Sequence, residues 1–430
     1  MTSRGQGLSA ETTPVQGTTA PGFESVLELV AGLGRPWGRG GGSIAAYVDG
    51  ELVIDLWGGQ ARPGSPWQQD TLTTVASVTK SWAALVVAKL VEQGVLDYDE
   101  LVCTYWPEFT SHGKDGVRLR DLFTHSSGVL SFDNQVEILD AGDCAGWKDL
   151  DAIAAGLAAA KPAWTPGSRN GYHAVSYGWL LNEVVRRASG RTIGDLFHTD
   201  FAVPLGLDSH LGTDAKEHDR VAEVLVADTA SLPGLQRKVL AGITTRSARP
   251  ESLAGRAFLS DGSTTILDRV ATYAANASFL EAEIPASNGT STARSLARLF
   301  ACLAAGGELD GVRVLSPETI RTMAQTRGIV RDSVMREALP WFARSLLKPA
   351  PTSHGLIPNT KQKGRYVAGP HPEAFWTAGF GGQLVTGDPV SGLSFASVFS
   401  DFTPGLDKAL QQPVLDELYR LLPSAKGTPA

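Results

Sequence analysis

Apolar positions change period several times along the chain. Phe23, Val26, Leu27 and Val30 recur at three- and four-residue steps, which predicts a helix over 23–33 stopped by Gly34. The runs 43–48 and 51–57 are β-rich and flank Asp49-Gly50, the signature of a hairpin. Val78, Trp82, Leu85, Val86 and Leu90 return to helical spacing over 77–93, with Gly94 as the stop. Ala83, Ala84, Val87 and Ala88 fill the other faces of that helix, so it belongs inside the protein. Further helices are predicted from 119, over 149–160, over 174–188 and over 291–305. Another opens at Ser316-Pro317, where Ser316 suits the cap and Pro317 the first turn. Residues 379–386 and 393–399 read as strands around an Asp388-Pro389 turn. Leu406, Leu410, Val414, Leu415, Leu418 and Leu422 mark a last helix over 405–422. Residues 207–284 show little strong periodicity, mix Gly, Pro and Ser with short helical pieces, and read as connection and insertion. Residues 328–372 read as a long, basic, loop-rich stretch.

Strands near both ends with helices between them predict an α+β fold of the α/β/α type. One antiparallel sheet is flanked by helices, and an all-helical lobe is inserted. The expected division is a disordered polar tail over 1–21, an α/β domain over 22–100 plus 285–430, and a mostly helical inserted domain over 101–284. A cleft is expected where the lobes meet.

Composition narrows the function classes. With 43% hydrophobic and 19% charged residues, the 430-residue chain is an ordinary globule. Its net charge of −7 argues against a general nucleic-acid surface. No apolar run approaches the length of a membrane span, so no membrane partner is expected. The N-terminus lacks a basic-then-apolar leader, which gives a cytoplasmic expectation. Cys103, Cys144 and Cys302 are odd in number and widely spaced, fitting neither a disulfide framework nor a zinc knuckle. A Gly-x-Ser-x-Gly elbow, a P-loop and paired metal-ligand motifs are all missing, so no cofactor or metal is expected.

The candidate chemistry is Ser-x-x-Lys. Three matches exist: Ser77/Lys80, Ser111/Lys114 and Ser345/Lys348. On a helix this spacing puts both side chains on one face, about 5–6 Å apart at Cβ. A desolvated lysine there is able to take the serine proton. Only Lys80 lies in an apolar helix, where an amine is costly without a partner or a task. Lys114 sits in a polar loop and Lys348 precedes a proline, so both are expected to be solvated.

Several other pieces follow Ser77 in order. They are Asp121-Leu-Phe-Thr-His-Ser-Ser-Gly128, Trp164-x-Pro-Gly-x-x-x-x-Tyr172, Pro204-Leu-Gly-Leu-Asp208 and Ala293-Arg-Ser-Leu-Ala-Arg298. Together with Ala76-Ser-Val-Thr-Lys80 they make residues 22–422 resemble the serine β-lactamase and penicillin-binding-protein superfamily. The look is closest to class C β-lactamases and family VIII carboxylesterases. The resemblance implies Ser77 as nucleophile, with Lys80 and Tyr172 handling its proton. It implies a third motif in Phe375-Trp-Thr-Ala-Gly-Phe-Gly-Gly382, where Trp376, Thr377, Gly379 and Phe380 are candidates for oxyanion or substrate binding. The register of that motif is open, with either Thr377 or Trp376 at the position the family fills with a cation. His173 follows the tyrosine and is a further candidate.

Two departures limit the analogy. Tyr172-His173-Ala174 replaces Tyr-x-Asn, and no Lys or His occupies the third motif. Both disfavour β-lactams as acyl donors. The expected activity is a serine acyl-enzyme hydrolase acting on an ester. The alternative is a transacylase passing the acyl group to an amine or alcohol. Weaker alternatives are a β-lactamase and a non-catalytic relative. The expected partners are a small-molecule acyl donor and, in the transacylase reading, an acceptor. The basic stretch from Arg327 to Arg365 reads as a lid, a guide for an acidic substrate or a solvated face.

Overall fold

A tight turn organises the start of the sheet. Asp49 (φ 48°) and Gly50 (φ 87°) both take positive φ, as a two-residue hairpin turn requires. They join β2 (Gly41–Val48) to β3 (Glu51–Arg62) with Val48 opposite Glu51. The computed structural model describes residues 14–226, 234–362, 365–402 and 406–422. Before the hairpin come β1 (Gln16–Thr19) and α1 (Glu24–Gly32). Strand β1 corrects part of the expected tail. Gln16 to Thr19 pair antiparallel with Trp57 to Ile54, which gives this polar stretch a ladder to satisfy its backbone. Residues 1–13 lie outside the described residues.

The remaining sheet strands are β4 (Ser65–Pro66), β5 (Ile357–Pro358), β6 (Phe375–Gly379), β7 (Gln383–Asp388) and β8 (Leu393–Phe399). Their order is β1-β3-β2-β8-β7-β6-β5, with β4 added to β3, and each of these pairs is antiparallel. The single strand expected over 379–386 is instead the edge of two. Phe380, Gly381 and Gly382 turn the chain between β6 and β7, with Gly381 and Gly382 at φ 90° and 85°. Positive φ at both glycines ends β6 at Gly379.

Seven more helices matter here: α2 (Thr79–Glu92), α3 (Ser176–Ser189), α4 (Gly234–Ser247), α5 (Ile266–Ala274), α6 (Ala293–Ala304), α7 (Ser333–Ala338) and α8 (Leu406–Leu421). Side chains alternate across the sheet as the two-residue strand period demands. Ile44 and Ala46 face one layer with Val26 and Val30 of α1 and Leu410, Val414 and Leu418 of α8. Ala45 and Tyr47 face the other, with Leu296 and Phe300 of α6 and the whole of α2 behind. The expectation that α2 is interior holds: every residue from Thr79 to Ala88 is buried. Trp82 lies flat on Phe197, with ring centroids 4.5 Å apart, which anchors α2 to the helical part.

The described residues of the stretch 207–284, which are 207–226 and 234–284, are more ordered than their weak periodicity indicated. They contain α4, α5 and the short helices Leu253–Ala257 and Ala277–Glu281. Their apolar residues face a cavity as well as the core, so no single stripe dominates.

Lys114 also departs from expectation. It is fully buried, and its Nζ donates to Ala158 O (2.9 Å) and Ala160 O (2.6 Å) at the end of the helix Leu150–Ala159. Those carbonyls lack helical partners and need a donor, ideally a cation. Burial pushes the Lys114 amine down to about 8. Burial alone therefore does not single out Lys80.

Candidate active site

The nucleophile candidate sits on a strained turn. Ala76 has φ 47°, a conformation unfavourable for a residue with a Cβ. Ser77 follows within a 3₁₀ turn over Ala76–Val78 that runs directly into α2. Thr79 Oγ1 clamps the turn by donating to Ala76 O (2.6 Å) and accepting from Gly289 N (3.1 Å). Ser77 is half-buried as a result, while Lys80, one turn further, is nearly enclosed at 8% exposure.

Lys80 Nζ donates to Ala174 O (2.7 Å) and Ala286 O (2.9 Å) and lies 3.4 Å from Ser77 Oγ. Burial lowers its pKa, opposed by the Tyr172 phenol beside it. A neutral amine has two N–H bonds and one lone pair. With both N–H bonds committed to carbonyls, the lone pair is left for Ser77. The Tyr172 hydroxyl is 2.6 Å from Ser77 Oγ, and Lys80 Nζ stands 4.8 Å from the Tyr172 ring centroid. The three residues named from the motifs thus meet at one point.

The third motif approaches from β6. A Cβ on Gly379 would lie 2.4 Å from Val75 O and 3.0 Å from Ser77 N, so only glycine allows this strand end to reach the nucleophile turn. Thr377 shares that face of β6 and is buried. Trp376 is on the opposite face, packed among the α1 and α8 side chains. It is not brought to Ser77, because successive strand residues point to opposite sides. Gly379 is thus the β6 residue that meets the Ser77 turn, with Thr377 on the same face of the strand. Phe380 lies at the cavity rim, its ring edge-on to Phe402.

His173 is not brought to Ser77 either. Its buried ring is used structurally: Nδ1 donates to Gly171 O (2.7 Å), and Nε2 accepts from Ser127 Oγ (2.9 Å). Burial pushes it down to about 4, so the ring is neutral. Sequence reasoning passed over His125, whose ring is 5.2 Å from that of Tyr172 and whose Nδ1 accepts from His173 N (3.3 Å). The Thr-His-Ser-Ser-Gly segment was its available signal. Asp332 was also missed. It caps α7, accepting from Met335 N (2.8 Å), and the Tyr172 backbone is among the groups that act on its carboxylate.

Ser77, Tyr172, Gly379 and Phe380 border a cavity of ≈ 390 Å³. Its walls are otherwise mostly apolar, with Leu240 and Ile243 from α4, Phe258, Ile266 and Val270 of α5, and Met335 of α7. The Thr74 and Ser287 hydroxyls also line it and have no hydrogen-bond partner among the described residues. No His/Cys/Asp/Glu group among the described residues is arranged to hold a metal ion, and no described helix is long and apolar enough to cross a membrane.

Known proteins resemble the chain over most of its length. The chain is 33% identical over 390 residues to Esterase/beta-lactamase LipL of Mycobacterium tuberculosis, covering 89% of this chain and 82% of that protein. A penicillin-binding-protein homologue from Caulobacter crescentus superposes with a TM-score of 0.75 at 33% identity, covering 95% of this chain and 100% of the other. A family VIII carboxylesterase superposes with the same TM-score and coverage at 29% identity. The beta-lactamase family pattern itself matches residues 28–419. With the match running from α1 to α8 and the Ser-x-x-Lys turn buried at its centre, the chain is an enzyme of the β-lactamase family.

Proposed function

We propose that the protein is a serine carboxylesterase for esters with an apolar acyl group. The observation that carries this reading is the apolar cavity opening on Ser77. Ser77 Oγ attacks the ester carbonyl, forming an O–C bond as its proton passes to the Lys80–Tyr172 pair. The oxyanion is held by the Ser77 N–H and the Phe380 N–H, which lies just beyond the last ladder pair of β6. Collapse breaks the bond to the alcohol oxygen, and the pair returns the proton to the departing alcohol. Water then attacks the acyl-serine by the same route and releases the acid.

Supporting an ester over a β-lactam, Thr377 offers no charge for a carboxylate, and Ala174 contributes only its carbonyl, to Lys80. The test is a series of p-nitrophenyl esters of rising chain length, with a chromogenic cephalosporin alongside. Ester turnover with negligible cephalosporin turnover is expected. The reverse order would sink the proposal. Transacylation is the second reading, favoured by the same apolar lining, which disfavours water as acceptor. Adding alcohols or amines and measuring transferred against hydrolysed product decides between the two.

A further inference from the structure

Two elements that wall the cavity also carry an unusual outer surface. Helix α4 turns Leu240 and Ile243 inward, and α7 contributes Met335. On the outside, Leu235 at the start of α4 is 67% exposed, and Trp341 and Phe342, just after α7, are 77% and 41% exposed. These belong to one face. Leu235 and Gly242 are seven residues apart, two turns along the same side of α4. Pro340 packs on Gly242, where a Cβ would meet it at 3.1 Å. Trp341 follows directly, with its ring set edge-on to that of Phe342.

Basic residues outnumber acidic ones around this patch. Helix α4 contains Arg237, Lys238 and Arg246 and no acidic residue. Arg331, Arg336, Arg344 and Lys348 are exposed around Trp341 in the sequence. The two acidic residues of that segment are committed to backbone amides: Asp332 accepts from Met335 N, and Glu337 accepts from Leu253 N (3.1 Å). Arg237, Lys238, Arg331 and Arg336 make no ion pair among the described residues. On a chain of net charge −7, this is a local basic, aromatic face.

We propose that the outer face of α4 and the 341–342 segment docks on an anionic lipid surface. An exposed tryptophan and phenylalanine with flanking Lys and Arg is the chemistry of peripheral membrane binding: the rings enter the headgroup region and the cations pair with acidic lipid. The sequence expectation of no membrane partner rested on the lack of a spanning run, which such binding does not require. Docking would set the cavity's roof against the source of apolar esters. That consequence rests on the esterase reading; the docking itself does not.

The test is flotation of the full chain with vesicles. At low salt the protein is expected to float with phosphatidylglycerol–phosphatidylcholine vesicles and to stay behind with phosphatidylcholine alone. Replacing Arg237 and Lys238 by Ala should weaken binding about 30-fold, from roughly 1 kcal/mol per basic residue. Trp341→Ser with Phe342→Ser should abolish it. All these variants should hydrolyse a short soluble ester like the parent, which reports an intact cavity. Ser77→Ala should float normally, so a failed esterase reading leaves the docking result readable. Absence of flotation with anionic vesicles, or flotation indifferent to both variant pairs, overturns the proposal. A dimer in light scattering that Trp341→Ser/Phe342→Ser dissolves also overturns it, by assigning the face to a second copy of the chain.

Discussion

Ser77 Oγ and the Tyr172 hydroxyl are 2.6 Å apart, whereas Ser77 Oγ and Lys80 Nζ are 3.4 Å apart. The phenol, not the amine, is therefore the serine's immediate partner. Tyr172→Phe removes that contact but keeps the ring that packs near His125 and Phe258. We expect kcat/KM to fall by about 10²–10⁴, the range for loss of a proton-transfer group, with little change in Tm. Turnover near that of the parent would leave Lys80 as the sole base.

Under the proposed mechanism Lys80 sets the pH response of the same step. Burial lowers its pKa, so the neutral amine is reached at lower pH than for a free lysine. Activity should rise with pH as Lys80 loses its proton and level off above its folded pKa. A kcat/KM profile that falls over this limb would exclude Lys80 as the base. Lys80→Ala should cost several orders of magnitude in rate. It should also cost stability, on the order of 1–3 kcal/mol, because Ala174 O and Ala286 O lose their donor. Thermal denaturation separates the two effects.

Much of this was legible in the sequence, for reasons that differ by residue. The Asp49-Gly50 hairpin and α2 were readable because turn chemistry and period are local properties. Ser77, Lys80 and Tyr172 were readable because the motifs carrying them occur in order. Lys114 was misread because its partners, the carbonyls of Ala158 and Ala160, lie more than forty residues away in the chain. The same non-locality hid the pairing of Gln16–Thr19 with β3. Trp376 and Thr377 could not be ranked until β6 had a defined face toward Ser77. The walls from α4 and α5 escaped notice because a helix lining a cavity splits its apolar residues between two directions.

Those walls predict substrate preference. Phe258 and Ile243 both line the cavity that opens on Ser77. Phe258→Ala should shift the optimum of the p-nitrophenyl ester series toward longer chains, and Ile243→Trp toward shorter ones. Each methylene gained or lost in an apolar pocket is worth about 10–200-fold in kcat/KM ratio. An unchanged chain-length profile in both variants would mean that the acyl group does not enter this cavity.

His173 predicts an acid limit on stability. Its ring is neutral, with Nδ1–H given to Gly171 O and Nε2 accepting from Ser127, and it stacks 5.5 Å from His125. A second proton would replace the acceptor nitrogen with a donor and bury a charge beside another histidine. Its folded pKa is about 4, against 6.5 for the free side chain. Between those values the unfolded chain binds the extra proton and the folded one does not. The stabilisation is therefore fully present above about pH 6.5 and is lost as pH falls toward about 4. The loss should amount to roughly 1–3 kcal/mol. His354 is also buried, with burial pushing it down to about 3, so acid weakens the parent through more than one group. Comparing His173→Gln with the parent reads the share of the His173–His125 pair, because His173 also helps to lower the pKa of His125, while His354 is present in both. We expect the urea midpoint of His173→Gln to fall less than the parent's between about pH 7 and about pH 4.5. Parallel falls in the two proteins would assign the acid sensitivity elsewhere.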